Sequence, residues 1–152
     1  MLKKIIFGLF VLLAAAQFVR PVKNQSSGVS PTDITLKHPM PSEVKAVLEH
    51  ACYDCHSNRT QYPWYAEVQP VAWWLDSHIK DGKRHLNFSE FSAYDSKRAA
   101  KKLRQISDEM EQHDMPLKSY TWMHPEARLT QAQITLVADW AENLAQDIAP
   151  AK

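Results

Sequence analysis

After residue 40, apolar residues recur every three or four positions along much of the chain, which is the spacing of one helix face. The last such segment has the clearest start, because Thr130 followed by Gln133 forms the pattern of a capping box. Its apolar face consists of Ile134, Val137, Ala141, Leu144 and Ile148. An earlier stripe predicts a helix that starts near Asp95 or Ser96 and ends before Pro116. That stripe consists of Ala99, Leu103, Ile106 and Met110.

Two shorter helices are predicted upstream of these. Ser42 is a plausible N-cap for a helix that runs into Cys52. Pro70 suits the first turn of the next helix, and Gly82 is predicted to end it. Residues 57–69 are predicted to form an aromatic-rich loop, whereas residues 83–94 fit neither a helix nor a loop clearly.

The N-terminus carries an apolar run over residues 5–19, interrupted only by Gln17, behind Lys3 and Lys4. This is the pattern of an export signal. An uncleaved segment would be a thin transmembrane signal anchor, since spanning takes about 17 residues or more. Cleavage near Ala16 would instead release a soluble periplasmic protein. Either way, we expect the folded part on the periplasmic side of the cytoplasmic membrane, with anchoring favoured.

Domain organisation follows from the same pattern. Residues 1–20 are the signal anchor or signal peptide, and residues 21–40, with three prolines and Gly28, are predicted to be a flexible tether. Residues 41–149 are predicted to form one folded domain.

Composition narrows the fold class to all-α. Only one of the three glycines, Gly82, lies in the folded part, and no clear alternating strand is present. Three of the 18 basic residues and none of the 17 acidic residues lie in the first twenty positions, so the remainder is slightly acidic. Nothing in this balance suggests nucleic acid as a partner.

The chemistry is concentrated in Cys-Tyr-Asp-Cys-His at residues 52–56, which contains both cysteines of the chain. This is the C-x-x-C-H spacing of c-type haem attachment. Cys52 and Cys55 face the same way on a helical turn, so both sulfurs can form thioethers with one haem, while His56 becomes the proximal iron ligand. A redox dithiol would need a βαβ setting. A zinc site is disfavoured because adjacent Cys55 and His56 are awkward ligands for one tetrahedral ion.

A second axial ligand is needed for a six-coordinate electron carrier. Met115, held before Pro116 in a predicted loop, is the favoured distal ligand. Its rivals are Met123, His113, His124 and Met110. An open sixth position would instead permit ligand binding or peroxide chemistry.

Three further features of the sequence each allow more than one interpretation. Arg59 could pair with a haem propionate, although a solvated arginine fits as well. His78 and His85 are more often structural than ligands in this setting. The basic run at residues 97–104 is typical of a solvated helix face and could also steer an acidic redox partner.

At this point the chain resembles the haem-binding domain family of small exported proteins. The resemblance rests on residues 52–60, on Tyr-Pro-Trp-Tyr at 62–65, on residues 85–91, on Met115-Pro116 with Tyr120, on His124-Pro125, and on residues 17–21. It implies a cytochrome c-like helical domain around one covalent haem, with other cytochromes or a peroxidase as redox partners.

The prediction is therefore a monohaem c-type cytochrome that carries electrons, tethered to the membrane through its N-terminal helix. No acid/base pair or nucleophile calls for an enzyme. The alternatives are a haem accessory or peroxidase-type enzyme of peroxide reduction, and a haem-based ligand sensor.

Overall fold

The computed structural model describes residues 1–149 and is all-helical across them, as predicted. Within that range the only extended pairing is an isolated bridge between Gln25 and Arg59. Two of the connections contain 3₁₀ turns that bear on the site, Trp64–Glu67 and Phe88–Ala93. The helices are α1 (Leu2–Ala16), α2 (Ile34–Lys37), α3 (Ser42–Ala51), α4 (Tyr53–His56), α5 (Val71–His85), α6 (Ser96–Glu111), α7 (Lys118–Met123) and α8 (Gln131–Ile148).

The core lies where α6 and α8 pack lengthwise against each other, with α3 across one end of α8. Leu103 of α6 and Val137 of α8 are fully buried. Phe88 and Phe91 of the second 3₁₀ turn extend the same core. Each fully buried side chain of this kind stabilises the fold by about 1.5–3 kcal/mol. The predicted apolar stripes of α6 and α8 are therefore the faces that hold the domain together.

Local capping explains why these two helices begin where predicted. The Thr130 hydroxyl accepts a hydrogen bond from the Gln133 backbone N–H at 3.3 Å, and the Gln133 side chain accepts one from the Thr130 N–H at 2.9 Å. In α6 the Asp95 carboxylate accepts a hydrogen bond from the Arg98 N–H at 2.9 Å. Each such cap is worth about 1 kcal/mol.

The start of α3 and the end of α5 differ from prediction. Ser42 is the first residue of α3, with Pro41 before it as the N-cap. Gly82 does not end α5, which continues to His85. A Cβ atom at Gly82 would lie 2.6 Å from the carbonyl oxygen of Cys55. The glycine is therefore explained by the close approach of α5 to α4 and not by a helix end.

The segment predicted to be a flexible tether is instead partly packed on the domain. Asn24 and Thr60 are joined by a backbone hydrogen bond of 3.0 Å. Asp33 is buried and caps α2 by accepting a hydrogen bond from the Thr35 N–H at 3.0 Å. Ile34 is fully buried in the main core. Prolines suggested a linker, but one apolar side chain and several backbone hydrogen bonds hold this segment in place.

The apolar N-terminal run forms α1, whose residues have no buried side chain. Among the helices of residues 1–149, none combines the length and the apolar character needed to cross a membrane, so the predicted transmembrane helix is not found there.

The end of α1 is bound to the domain by a cluster that we call the Gln69 junction, formed by Gln17, Val19, Gln69 and Trp73. The Gln69 side chain donates to the Val19 carbonyl at 2.8 Å, and its backbone N–H donates to the Gln17 side chain at 3.0 Å. The Trp73 indole N–H also donates to the Val19 carbonyl, at 2.8 Å. Gln69 itself is buried. The chain just after α1 is therefore fixed relative to the start of α5.

Candidate functional site

A cavity of about 450 Å³ opens between α4, α5, α6 and the segment that leads into α7. This volume is within the range of pockets that hold a cofactor or other sizeable small molecule. Its apolar wall consists of Leu48, Ala51, Leu86, Phe88, Ile106 and Leu117. The cavity therefore offers a dry compartment next to the cysteine motif.

The α4 turn brings Cys52, Cys55 and His56 to one wall of this cavity, as predicted from their spacing. The backbone N–H of His56 donates to the Cys52 carbonyl at 2.9 Å, which closes the turn. Both thiols are free. Burial raises the pKa of Cys52 to about 12 and that of Cys55 to about 11, so both are neutral thiols at physiological pH.

The neutral thiols bear on the rival readings of the motif. Zinc ligands and redox-active dithiols function as thiolates, which burial disfavours at Cys52 and Cys55. Over residues 1–149, no group of three or more His, Cys, Asp and Glu side chains is placed to hold a metal ion.

His56 is held in one orientation by the end of α5. Its Nδ1 lies 3.0 Å from the carbonyl oxygen of Leu86, so Nδ1–H is the donor and Nε2 keeps its lone pair. Burial lowers the pKa of His56, which favours the neutral imidazole. Phe88 lies against the ring edge with 6.5 Å between centroids. A neutral, oriented imidazole with a free Nε2 is the form that binds iron, and the carbonyl partner is the usual device that orients it.

Gly82 allows this arrangement, because α5 can approach α4 only where no side chain intervenes. Its missing Cβ would also lie 3.1 Å from the Cβ of Cys55. Four residues later, Leu86 supplies the carbonyl that orients His56. The function of Gly82 was missed from the sequence, since a glycine near the end of a helical pattern looks like a C-cap.

Of the five candidate distal ligands, Met115 and Met110 line the cavity, and the other three are not among its lining residues. Met110 is buried in the main core as well, whereas Met115 lies in the segment between α6 and α7. Met123 is 44% exposed, and His113 is exposed in a left-handed conformation with φ of 57°.

His124 is engaged elsewhere through both ring nitrogens. Nε2 lies 2.6 Å from the Tyr65 hydroxyl, and Nδ1 lies 3.0 Å from a Glu126 carboxylate oxygen. Its ring also stacks on Tyr120 with 4.4 Å between centroids. His124 therefore has a structural set of partners in this conformation and no free nitrogen.

Arg59 does not line the cavity. Its guanidinium lies 4.0 Å from the buried carboxylate of Asp33 and 6.0 Å from the centroid of the Tyr53 ring. It lines a separate, polar pocket of about 780 Å³. The propionate contact suggested from its place after His56 finds no support in this geometry.

Sequence reasoning gave no role to Tyr120 and Asp54, which both line the cavity. The Tyr120 hydroxyl donates to the Asp54 carboxylate at 2.8 Å, and the Gln61 backbone N–H donates to the same carboxylate at 2.9 Å. Burial, followed by the charge of Asp54, raises the pKa of Tyr120. This hydrogen bond ties α7 to α4 across 66 positions of sequence, and no local signal identifies such a pairing.

Polar side chains line the rest of the cavity, a position that the sequence did not predict for them. They include His78, Asp81, His85, Lys102 and Gln105. Lys102 donates to the Gln105 side chain at 3.1 Å. Charged and polar groups at the mouth of an apolar cavity suit a ligand with an apolar body and a polar edge.

An all-helical domain, an apolar cavity and an oriented neutral histidine beside two cysteines define a small haem protein as the class. The observed features fit that group: the cavity volume is within the range of cofactor pockets, its wall is apolar, and a glycine allows the close approach of α5 to Cys55. The chain belongs to the haem-binding domain family, whose sequence profile matches residues 11–143. The match confirms the resemblance noted from the motifs and includes every residue named on the cavity wall. No curated protein and no solved structure matches the chain.

Proposed function

We propose that the protein is a monohaem c-type cytochrome that transfers electrons outside the cytoplasm. The observation that carries this proposal is the placement of Cys52, Cys55, His56 and Met115 around one apolar cavity. Cys52 and Cys55 would hold the haem through thioethers, His56 would be the proximal iron ligand and Met115 the distal ligand. When bound, the haem supplies a reversible one-electron couple.

The protein's own residues would orient the iron ligands and keep water away from them. The Leu86 carbonyl keeps His56 in the tautomer that presents Nε2. The apolar wall, which includes the buried Phe88, would limit the access of water to the ligand set. Side chains fixed by packing would move little when the charge of a bound group changes, which suits electron transfer.

The cysteine count supports a single covalent haem, because the chain has two cysteines and both lie in the motif. Location outside the cytoplasm is supported by the apolar N-terminal segment behind Lys3 and Lys4. Partners would then be exported redox proteins, such as other cytochromes or a peroxidase.

The enzyme alternative has less support from the geometry. A peroxidase-type site needs an acid/base group near the open iron position, and the candidates named from the sequence were His113 and His124. Neither lines the cavity. His124 also has both ring nitrogens engaged by Tyr65 and Glu126.

The test is an optical spectrum, oxidised and reduced, of protein matured with the c-type haem attachment machinery. Met115→Ala removes the proposed distal ligand, and Met123→Ala is the matched control, because that methionine lies outside the cavity. We expect a low-spin wild type with the weak far-red sulfur-to-iron band of Met/His ligation. The band should disappear in Met115→Ala and persist in Met123→Ala.

Two other results would overturn parts of the proposal. A high-spin wild type that binds carbon monoxide would indicate an open sixth position and favour the enzyme or sensor alternatives. If acidified organic solvent removed haem from the wild type as completely as from a Cys52→Ala/Cys55→Ala variant, covalent attachment would be excluded.

A further inference from the structure

Helix α6 has an unusual distribution of charge. Its first nine residues carry five basic side chains and no acidic one, whereas its last four include three acidic side chains, Asp108, Glu109 and Glu111. We call the basic set the α6 basic face: Lys97, Arg98, Lys101, Lys102 and Arg104.

This distribution opposes the helix dipole. The N-terminal end of a helix is electropositive and is stabilised by acidic side chains, while the C-terminal end is stabilised by basic ones. In α6 the first turn has no acidic residue and the last turn no basic residue. Helix stability therefore gives no reason for the α6 basic face, and a reason outside the fold is needed.

The five cations also form no salt bridge with the part of the chain that the structure describes. Arg98 lies over the Tyr94 ring at 4.5 Å, and Lys102 bonds to a neutral amide. Four of the five are exposed and Lys102 is half-buried. The face is thus a concentrated positive field on a chain whose formal net charge is only +1.

The α6 basic face borders the cavity. Lys102 lines the cavity, together with Gln105, Ile106, Glu109 and Met110 of the same helix. A partner that covers the face would therefore approach the group bound in the cavity. An anionic lipid surface could also bind these cations, but it gives no reason for the position of Lys102 on the cavity.

We propose that the α6 basic face is the docking surface for an acidic redox protein, an inference that rests on the proposed electron-transfer function. Opposite charges accelerate the encounter and orient the two proteins, with an effect that salt suppresses. One electron crosses the docked surface, so that the protein that loses it is oxidised by one electron and the other is reduced by one.

The test compares Lys97→Glu/Lys101→Glu with the charge-matched control Lys45→Glu/Lys80→Glu, whose cations are exposed on α3 and α5. Neither Lys97 nor Lys101 lines the cavity. The probe is a reduced plant-type [2Fe–2S] ferredoxin, an acidic protein, mixed with the oxidised holoprotein in a stopped-flow instrument over a range of ionic strength. The bimolecular rate constant is the readout.

We expect the α6 variant to react about tenfold more slowly at low salt and to approach the wild-type rate at high salt. The control should change the rate by much less. The melting temperature of the α6 variant should not fall, because Lys97→Glu places an acid in the first turn of the helix. If the α6 basic face stabilised the fold, the substitutions would lower the melting temperature. The neutral variant Lys97→Gln/Lys101→Gln would then show the same fall.

Equal loss of rate in both variants, or a rate independent of salt, would overturn the proposal. The proposal would also be overturned if Lys97→Glu/Lys101→Glu lost binding to phosphatidylglycerol-containing vesicles, relative to phosphatidylcholine vesicles, and kept the wild-type rate with ferredoxin. That result would assign the α6 basic face to lipid. Holoprotein that shows no Soret band before mixing would carry no haem, which would overturn the proposed function, and this inference with it.

Discussion

Replacing Gly82 by alanine should destabilise the domain, although the same change inside an ordinary helix is stabilising. Alanine in a helix interior is favoured over glycine by about 0.5–1 kcal/mol. At Gly82 the added Cβ would lie 2.6 Å from the Cys55 carbonyl oxygen and 3.1 Å from both its carbonyl carbon and its Cβ. Two of these three atoms belong to the backbone, so no side-chain rotation can relieve the contact.

The magnitude follows from setting these two effects against each other. Overpacking of a tight contact costs about 1–3 kcal/mol, which exceeds the gain in helix propensity. We therefore expect Gly82→Ala to lower the free energy of unfolding by about 1–2 kcal/mol. For a chain of 152 residues that corresponds to a fall of about 2–8 °C in melting temperature.

The assay is urea unfolding of the holoprotein followed by far-ultraviolet circular dichroism. Ser77, exposed on the same helix, supplies the control. Comparing Ser77→Ala with Ser77→Gly measures the intrinsic preference for alanine in α5, which should be about 0.5–1 kcal/mol. If Gly82→Ala were as stable as wild type or more so, the close packing of α5 on α4 would be refuted as the reason for the glycine.

Two other perturbations follow from the same structure. Tyr120→Phe removes the hydroxyl that bonds to Asp54 and should cost about 1–2 kcal/mol in urea unfolding; an unchanged midpoint would show that this bond does not hold α7 in place. Burial, followed by the charge of Lys37, lowers the pKa of His38 from 6.5, so the folded state resists its protonation. Stability should therefore fall as pH drops below about 6.5, and less steeply in His38→Gln; equal slopes in urea titrations would refute this contribution.

The features that could be predicted from the sequence are those encoded by neighbouring residues. Each of the helices α6 and α8 starts at a capping side chain, Asp95 and Thr130 respectively. Each of these side chains accepts a hydrogen bond from the backbone N–H three positions later. The cavity residues of α4 lie in one pentapeptide, so their convergence needed no knowledge of the fold.

The features that could not be predicted depend on residues far apart in sequence. Tyr120 and Asp54 meet only because α7 folds back over α4. Gly82 takes its meaning from Cys55, which is on another helix. Ile34 sits among prolines that suggest a linker, and only the core that surrounds it shows that its segment is packed.

The Gln69 junction has a consequence for the fate of the N-terminal segment. Helix α1 ends at Ala16, and the junction residues begin at Gln17. A peptidase that cut after Ala16 would remove the whole helix and leave the bonds among Gln17, Val19, Gln69 and Trp73 intact. The helix is thus detachable without loss of the contacts that fasten the following chain to the start of α5.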